Sequence, residues 1–299
     1  MLKKLFFLSL LFLSLPLVTQ DSYMPFSEFK QKFLTGSAST EKLNSKTLKL
    51  SQTMSKDIIL GLKTLMSVEE SVVESFKEKI GDVVNILAPE LKKSIEMGGR
   101  IFFVGSGSSG RVAIDLAAKV SEVNPEITSQ VIGIIAGGDS AVVRAREQFE
   151  DSEESGKEAI EMFGPNKKDV VILISGSGSA CFNVGCGHHA ANKGAQVFYF
   201  YNSHIVPERT LKLFQRHANP IIPLEVDMGA QAIAGSTRLQ AATLAELFLG
   251  FSLEKALSSE KDVPIDFESI ARFLGKILEL IKTLEDEMEA VEQSDVGVV

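Results

Sequence analysis

Between Ser55 and Met97 apolar residues recur every third or fourth position: Ile58, Ile59, Leu62, Leu65, Val72, Val73, Phe76, Ile80, Val83, Val84 and Leu87. This period predicts amphipathic helices. Ser67 and Glu70 have capping-box spacing, Pro89 interrupts or restarts the pattern, and Gly98-Gly99 ends it, so two or three helices are expected. From residue 100 the texture changes. "RIFFVG", "QVIGIIAGG", "DVVILISG" and "AQVFYFYN" are short unbroken apolar runs, each closed by Gly, Ser or Asn, with helical patterns between them. Runs apolar on both faces belong to a parallel sheet, and starts at Arg100, Gln130, Asp169 and Ala195 leave room for a crossover helix each time. "GSTRLQAATLAELFLGFSLEKAL" reads as another helix. After a linker around Pro264, Ile270, Leu274, Ile277, Ile281, Leu284, Met288 and Val291 form a heptad stripe, which either docks on its own domain or makes a dimer seam. The expected organisation is a signal-like or anchor segment over 1–20, a helical lead-in over 21–97, an α/β domain over 98–255 and a heptad-patterned helix over 256–299.

Composition narrows the function classes. The chain has 299 residues, 44% of them apolar, which is enough for a substantial core. With 31 Lys plus Arg against 39 Asp plus Glu, the net charge of -8 argues against a nucleic-acid partner. Cys181 and Cys186 lie in one apparent helix at a spacing that suits neither a redox pair nor a zinc set; both are expected to be buried, with no metal site. The first residues, "MLKKLFFLSLLFLSLPLVTQ", place Lys3 and Lys4 before an apolar stretch from Leu5 to Val18. That is the layout of a secretory signal, too short for a comfortable membrane span, and it lacks a clean cleavage motif. A cleaved signal, an uncleaved anchor and a mis-assigned start codon are all open.

Ligands of an open parallel sheet bind beyond the carboxyl ends of the strands, where loops enter helix N-termini. The Gly and Ser clusters fall there. In "GSGSSGR", Gly105, Gly107 and Gly110 allow a tight turn and close approach of backbone N–H groups to an anion, while Ser106, Ser108 and Ser109 add hydroxyls. The spacing fits G-x-G-x-x-G, but a dinucleotide site also needs an acid about 20 residues further on. Here Asp139 follows Gly110 by 29 residues, so an NAD-binding domain is the remote alternative. A second loop, "SGSGSA", holds Ser175, Gly176, Ser177 and Ser179, and a third, "GSTR", holds Ser236 and Thr237. Three hydroxyl-rich loops on one rim suit a small polyhydroxylated phosphate better than a dinucleotide.

"GGRIFFVGSGSSGR", "IAGGDSAVVRAREQFEDS", "SGSGSACF" and "GSTRL", in this order, resemble the sugar isomerase (SIS) domain, in the branch that holds bacterial N-acetylmuramic acid 6-phosphate etherase and animal glucokinase regulatory protein. "TEKLN" at 40 to 44 is similar to that branch's N-terminal signature. The resemblance covers about residues 40 to 255. It implies a flavodoxin-like three-layer α/β/α domain with a five-stranded parallel sheet, a cytoplasmic phosphosugar binder that needs no cofactor, and a homodimer or another SIS subunit as partner. The regulatory-protein side of the branch adds a sugar kinase to the implied partners. By match of motif, Gly107, Ser108, Ser109, Ser175, Gly176, Ser177 and Ser179 would grip the sugar phosphate, Ser236 and Thr237 would form the rim, and Glu150 in "FEDS" would touch the sugar and serve catalysis in an active enzyme. Glu147 reads as a solvated helix charge.

The resemblance breaks at three positions. The etherase scheme needs an acid/base carboxylate eight residues after the loop arginine; counting from Arg111, that position is Lys119. Glu122 lies nearby in sequence but on another part of the helix. Gln231 and Gln240 also stand where the family commonly has Glu and Lys. Two readings follow: a phosphosugar-binding protein without etherase chemistry, acting as a sensor or regulator and resembling one half of the two-domain regulatory protein, or an active phosphosugar lyase or isomerase that uses Glu150 with Lys119 or a histidine. His188, His189, His204 and His217 are each expected to be structural or exposed.

Overall fold

The four apolar runs all form strands, and a fifth joins them. The computed structural model describes residues 38–215, 217, 219–258 and 267–295. Strands β1 (Ile101–Gly105), β2 (Val131–Ile135), β3 (Val170–Ser175), β4 (Gln196–Tyr201) and β5 (Ile222–Glu225) make one parallel sheet in the order β2-β1-β3-β4-β5. This is the flavodoxin-like order, with its switch point between β1 and β3. β5 had no counterpart among the apolar runs because Pro220 and Pro223 break its pattern. Pro223 is tolerated because β5 is an edge strand, where a missing N–H need not cost a ladder bond.

Alternation along the strands splits the core in two. Ile101, Phe103, Ile172, Ile174, Phe198 and Phe200 join one cluster with Phe76, Leu116 and Phe248; Phe102, Val104, Val171, Leu173, Val197 and Tyr199 join the other with Ile160, Phe182 and Leu213. Helices therefore cover both faces, giving three layers. On the first face lie α2 (Ile58–Glu96), α3 (Gly107–Val123) and α9 (Gln240–Leu257). On the second lie α6 (Glu153–Glu161), α7 (Cys181–Asn192) and α8 (Glu208–Gln215). Cys181 and Cys186 are both free and buried.

Between Ser55 and Met97 one helix stands in place of the expected two or three. After the short α1 (Leu50–Met54), α2 runs unbroken for 39 residues. Its cap is Asp57, whose Oδ1 accepts the Leu60 N–H at 2.8 Å, while Ser67 sits in mid-helix and donates to the Thr64 carbonyl. The apolar face from Ile59 to Leu91 packs along α9, and that burial overrides the local start signal. Pro89 and Asn85 lie on the exposed side, where water can take the Asn85 carbonyl that proline cannot serve.

The C-terminal helix α10 (Phe267–Asp295) docks on α2, with Ile281 buried, Phe267 5.8 Å from the Phe76 ring and a Lys63–Glu285 ion pair at 2.7 Å. Leu284 and Met288 remain exposed, and the side chains of Leu274 and Val291 lie outside the described part. The signal-like segment 1–20 also lies outside the described residues; among those described, no helix is long and apolar enough to cross a membrane.

Asp169, directly before β3, ties the amino-terminal end of the sheet. Its buried carboxylate accepts the Arg100 N–H at 2.8 Å, the Asn166 N–H at 2.9 Å and the Arg100 guanidinium at 2.8 Å. Asp169→Ala leaves these donors unpaired, and a loss of about 3 kcal/mol is expected. Urea titration would show it as a lower midpoint with an unchanged slope.

Candidate functional site

The glycines of "GSGSSGR" serve packing first. A Cβ on Gly105 would lie 2.6 Å from the Ser109 carbonyl carbon, and one on Gly110 would lie 2.4 Å from Ile135 Cγ1, so both let α3 press against the sheet. Gly107 adopts φ +52, and its Cβ would meet Glu150 Oε1 at 3.1 Å. The middle glycine thus makes room for the carboxylate of "FEDS", carried on the single turn α5 (Glu147–Glu150). Ser106 caps α3, and its Oγ is buried without a hydrogen-bond partner among the described residues. Arg111 donates to the carbonyls of Gly107 at 3.1 Å and Ala141 at 3.2 Å, joining the first loop to α4 (Ser140–Val143) beyond β2.

The second and third loops close on the first. Ser108 Oγ and Thr237 Oγ1 share a hydrogen bond of 2.6 Å. A Cβ on Gly176 would stand 2.2 Å from Thr237 Cγ2, so the "SGSGSA" loop touches "GSTR" at a position where only glycine fits. Ser175 Oγ accepts the Gly178 N–H at 3.0 Å and holds the turn, while the Ser177 and Ser179 hydroxyls bond each other at 2.6 Å. Arg209 Nη2 donates to the Ser179 carbonyl at 2.5 Å and Thr210 Oγ1 to the Gly178 carbonyl at 2.7 Å, so α8 supports the loop from behind. Gln231 and Gln240, both fully buried, clamp the third loop reciprocally: Gln231 Oε1 accepts the Ala241 N–H and Gln240 Oε1 the Ala232 N–H.

Of the residues singled out in the sequence, Glu150 lies against Gly107, the adjoining Ser108 bonds Thr237, and Thr237 lies against Gly176. Ser177 and Ser179 lie in the adjoining turn, Ser109 on the first turn of α3, and Ser236 directly before Thr237. Burial, then the neighbouring charges of Asp151 and Glu147, raise the Glu150 pKa; Arg111 and the Gly107 backbone pull the other way without cancelling this. Such a carboxyl holds its proton to higher pH than a free glutamate.

Lys119 is not part of this cluster. It lies twelve positions along α3 from Gly107, about 18 Å at the helical rise. Its ammonium pairs with Asp115 and, at 2.9 Å, with Glu246 of α9. Partial burial lowers its pKa, but the hydrogen bonds and charges of Asp115 and Glu246 outweigh that and raise it. Lys119 is therefore held as a cation, which removes it from the role of a base. Ser108, Arg111, Asp115, Arg238 and Glu246 line a cavity of about 290 Å³ between the loop and this ion-pair cluster.

The histidines are absorbed elsewhere. His188 Nδ1 and His217 Nε2 lie 2.8 Å apart, His204 pairs with Glu225 and Asp227, and no group of three or more His, Cys, Asp or Glu among the described residues could hold a metal. Residues that sequence reasoning did not assign are Arg209 and Thr210, whose role depends on the fold, and the segment Ala38–Glu41. Only the "TEKLN" likeness flagged that segment, and it gave no role.

A doubly wound parallel sheet with three hydroxyl-rich loops gathered on its carboxyl rim defines a flavodoxin-like α/β domain. Residues 81–191 match the family model of the glucokinase regulatory protein N-terminal SIS domain. The N-acetylmuramic acid 6-phosphate etherase of Bacillus mycoides (strain KBAB4) is 33% identical over 211 residues, spanning 71% of this chain and 68% of that protein. The etherase of Staphylococcus saprophyticus is 32% identical over 213 residues, spanning 70% and 67%. A solved phosphoheptose isomerase from Francisella tularensis superposes with a TM-score of 0.46 at 16% identity, covering 65% of this chain and 98% of that one. The chain belongs to the N-acetylmuramic acid 6-phosphate etherase family of SIS-domain proteins.

Proposed function

We propose that this protein binds a hexose phosphate at the rim formed by the three loops and holds it without etherase chemistry, as a sensor or regulator does. The binding half of the reading is supported by Ser108 and Ser109 on the first turn of α3, by Thr237 bonded to Ser108, and by the Ser177–Ser179 turn of the loop whose Gly176 lies against Thr237, since hydroxyls and backbone N–H groups at a helix start suit a phosphate. Glu150 stands next to them as the acceptor for a sugar hydroxyl. The family relationship points to the same ligand class.

The observation that carries the non-catalytic half is Lys119. Proton removal beside a carbonyl and protonation of a leaving group need a group that changes protonation near neutral pH. At the family's acid/base position stands an ammonium locked between two carboxylates. The match of residues 81–191 to the regulatory-protein domain supports a regulatory role. The partners in this reading are a second copy of the chain or another SIS subunit beside the site, and a sugar kinase as the regulated enzyme.

A thermal-shift series tests the ligand class. Hexose 6-phosphates should raise the melting temperature in proportion to the logarithm of their concentration above Kd, and NAD should not. A shift with NAD and none with any hexose phosphate would overturn the assignment.

A further inference from the structure

The segment just before α1 is sewn onto the site by bonds of very long sequence separation. Ser39 Oγ donates to Asp227 Oδ2 at 2.7 Å, and the Ser39 N–H donates to Ser203 Oγ at 3.2 Å. The Gly235 N–H donates to the Thr40 carbonyl at 2.9 Å. Every one of these partners lies in a loop beyond the carboxyl end of β4 or β5, the same end of the sheet that carries the hydroxyl loops. The last bond sets Glu41 beside Gly235, the first residue of "GSTR". A Cβ on Gly235 would lie 2.8 Å from Glu41 Oε2. Two residues on, Thr237 makes its 2.6 Å bond to Ser108, and Ser108 follows Gly107, against which Glu150 packs. Carboxylates therefore stand at both ends of the Ser108–Thr237 bridge, Glu150 on one side and Glu41 on the other.

We infer that Glu41 is a specificity-determining residue that accepts hydrogen bonds from ring hydroxyls of the bound hexose phosphate, with the Ala38–Glu41 segment acting as the fixed arm that presents it. A carboxylate suits this role and not phosphate binding, because it attracts hydroxyl donors and repels the phosphate dianion. Partial burial raises the Glu41 pKa, against a hydrogen bond from the Thr40 side chain that lowers it. The inference rests on the hexose-phosphate reading above and adds the residue that recognises the sugar as distinct from its phosphate.

The test compares two probes, inorganic phosphate and the tightest-binding member of a hexose phosphate panel, on the full chain and its Glu41→Gln and Glu41→Asp variants. Glu41→Gln should weaken the hexose phosphate about tenfold. Glu41→Asp should fall between it and the parent, and both variants should keep the parent's response to inorganic phosphate and its ligand-free melting temperature. Equal losses for both probes, or a fall in melting temperature that accounts for the loss, would make the segment merely structural and overturn the inference. Unchanged hexose phosphate affinity would overturn it as well. If the parent itself binds no hexose phosphate, the underlying function fails with it, and that outcome shows in the parent alone.

Discussion

Gly185→Val should cost at least about 3 kcal/mol of stability and lower the melting temperature by on the order of 10 °C. In α7, a Cβ at Gly185 would sit 1.8 Å from the Glu153 carbonyl oxygen, and one at Gly156 of α6 would sit 2.0 Å from the Phe182 carbonyl oxygen. The two helices thus meet backbone to backbone, and Cys186 Sγ adds a bond to the Gly156 carbonyl at 3.0 Å. No rotamer change relieves a clash with main chain; one helix must move. α6 begins at the Ser152 cap, two residues after Glu150, and α7 begins at the end of the "SGSGSA" loop. Separating them pulls apart two parts of the site, so hexose phosphate affinity should fall more than tenfold along with stability. Gly81→Ala serves as the control: it lies on the exposed face of α2, meets only Asn85 Nδ2 at 3.7 Å, and should be neutral or slightly stabilising. Differential scanning calorimetry on the two variants checks both.

Glu150 gives the second large effect, of opposite sign for binding and for stability. Glu150→Ala removes the acceptor nearest the Gly107–Ser108 turn and should weaken hexose phosphate binding by at least about tenfold in calorimetry. The ligand-free protein should respond differently. Because burial and the charges of Asp151 and Glu147 raise its folded pKa, Glu150 keeps its proton in the folded state at pH values where the unfolded chain has lost it. Folded protein then binds more protons than unfolded, and stability falls as pH rises from the ordinary carboxylate pKa through the raised one. Glu150→Gln abolishes that penalty. Its melting temperature should match the parent's near about pH 4 and exceed it at neutral pH. A difference that stays constant with pH would show that the carboxylate carries no such penalty.

Much of this arrangement was legible in the chain because it depends on short-range patterns. Unbroken apolar runs ending in Gly, Ser or Asn marked β1 to β4 and, with them, the carboxyl rim of the sheet. The hydroxyl clusters then fell into place on that rim. What was not legible depended on tertiary packing or on polarity that looks like a loop. β5 is four residues long and contains Pro223, so it carries no periodic signal. The Ser67 and Glu70 pair has the spacing of a helix start, yet it lies inside α2, because burial against α9 outweighs a cap. The three glycines of "GSGSSGR" suggested a dinucleotide by spacing, whereas two of them admit close helix–sheet packing and the third admits Glu150. The substitution at Lys119 could be read from the motif. Its consequence could not, since Glu246 lies more than a hundred residues away in sequence and meets Lys119 only in the fold.

The central claim is that the site keeps its ligand whole. Mixing the protein with N-acetylmuramic acid 6-phosphate, the substrate named for its relatives, and following calorimetric heat and free D-lactate in the same sample tests it most directly. Saturable binding with lactate no higher than in a protein-free control is the predicted result. Catalytic lactate release, many equivalents per protein and abolished by Glu150→Ala, would contradict it.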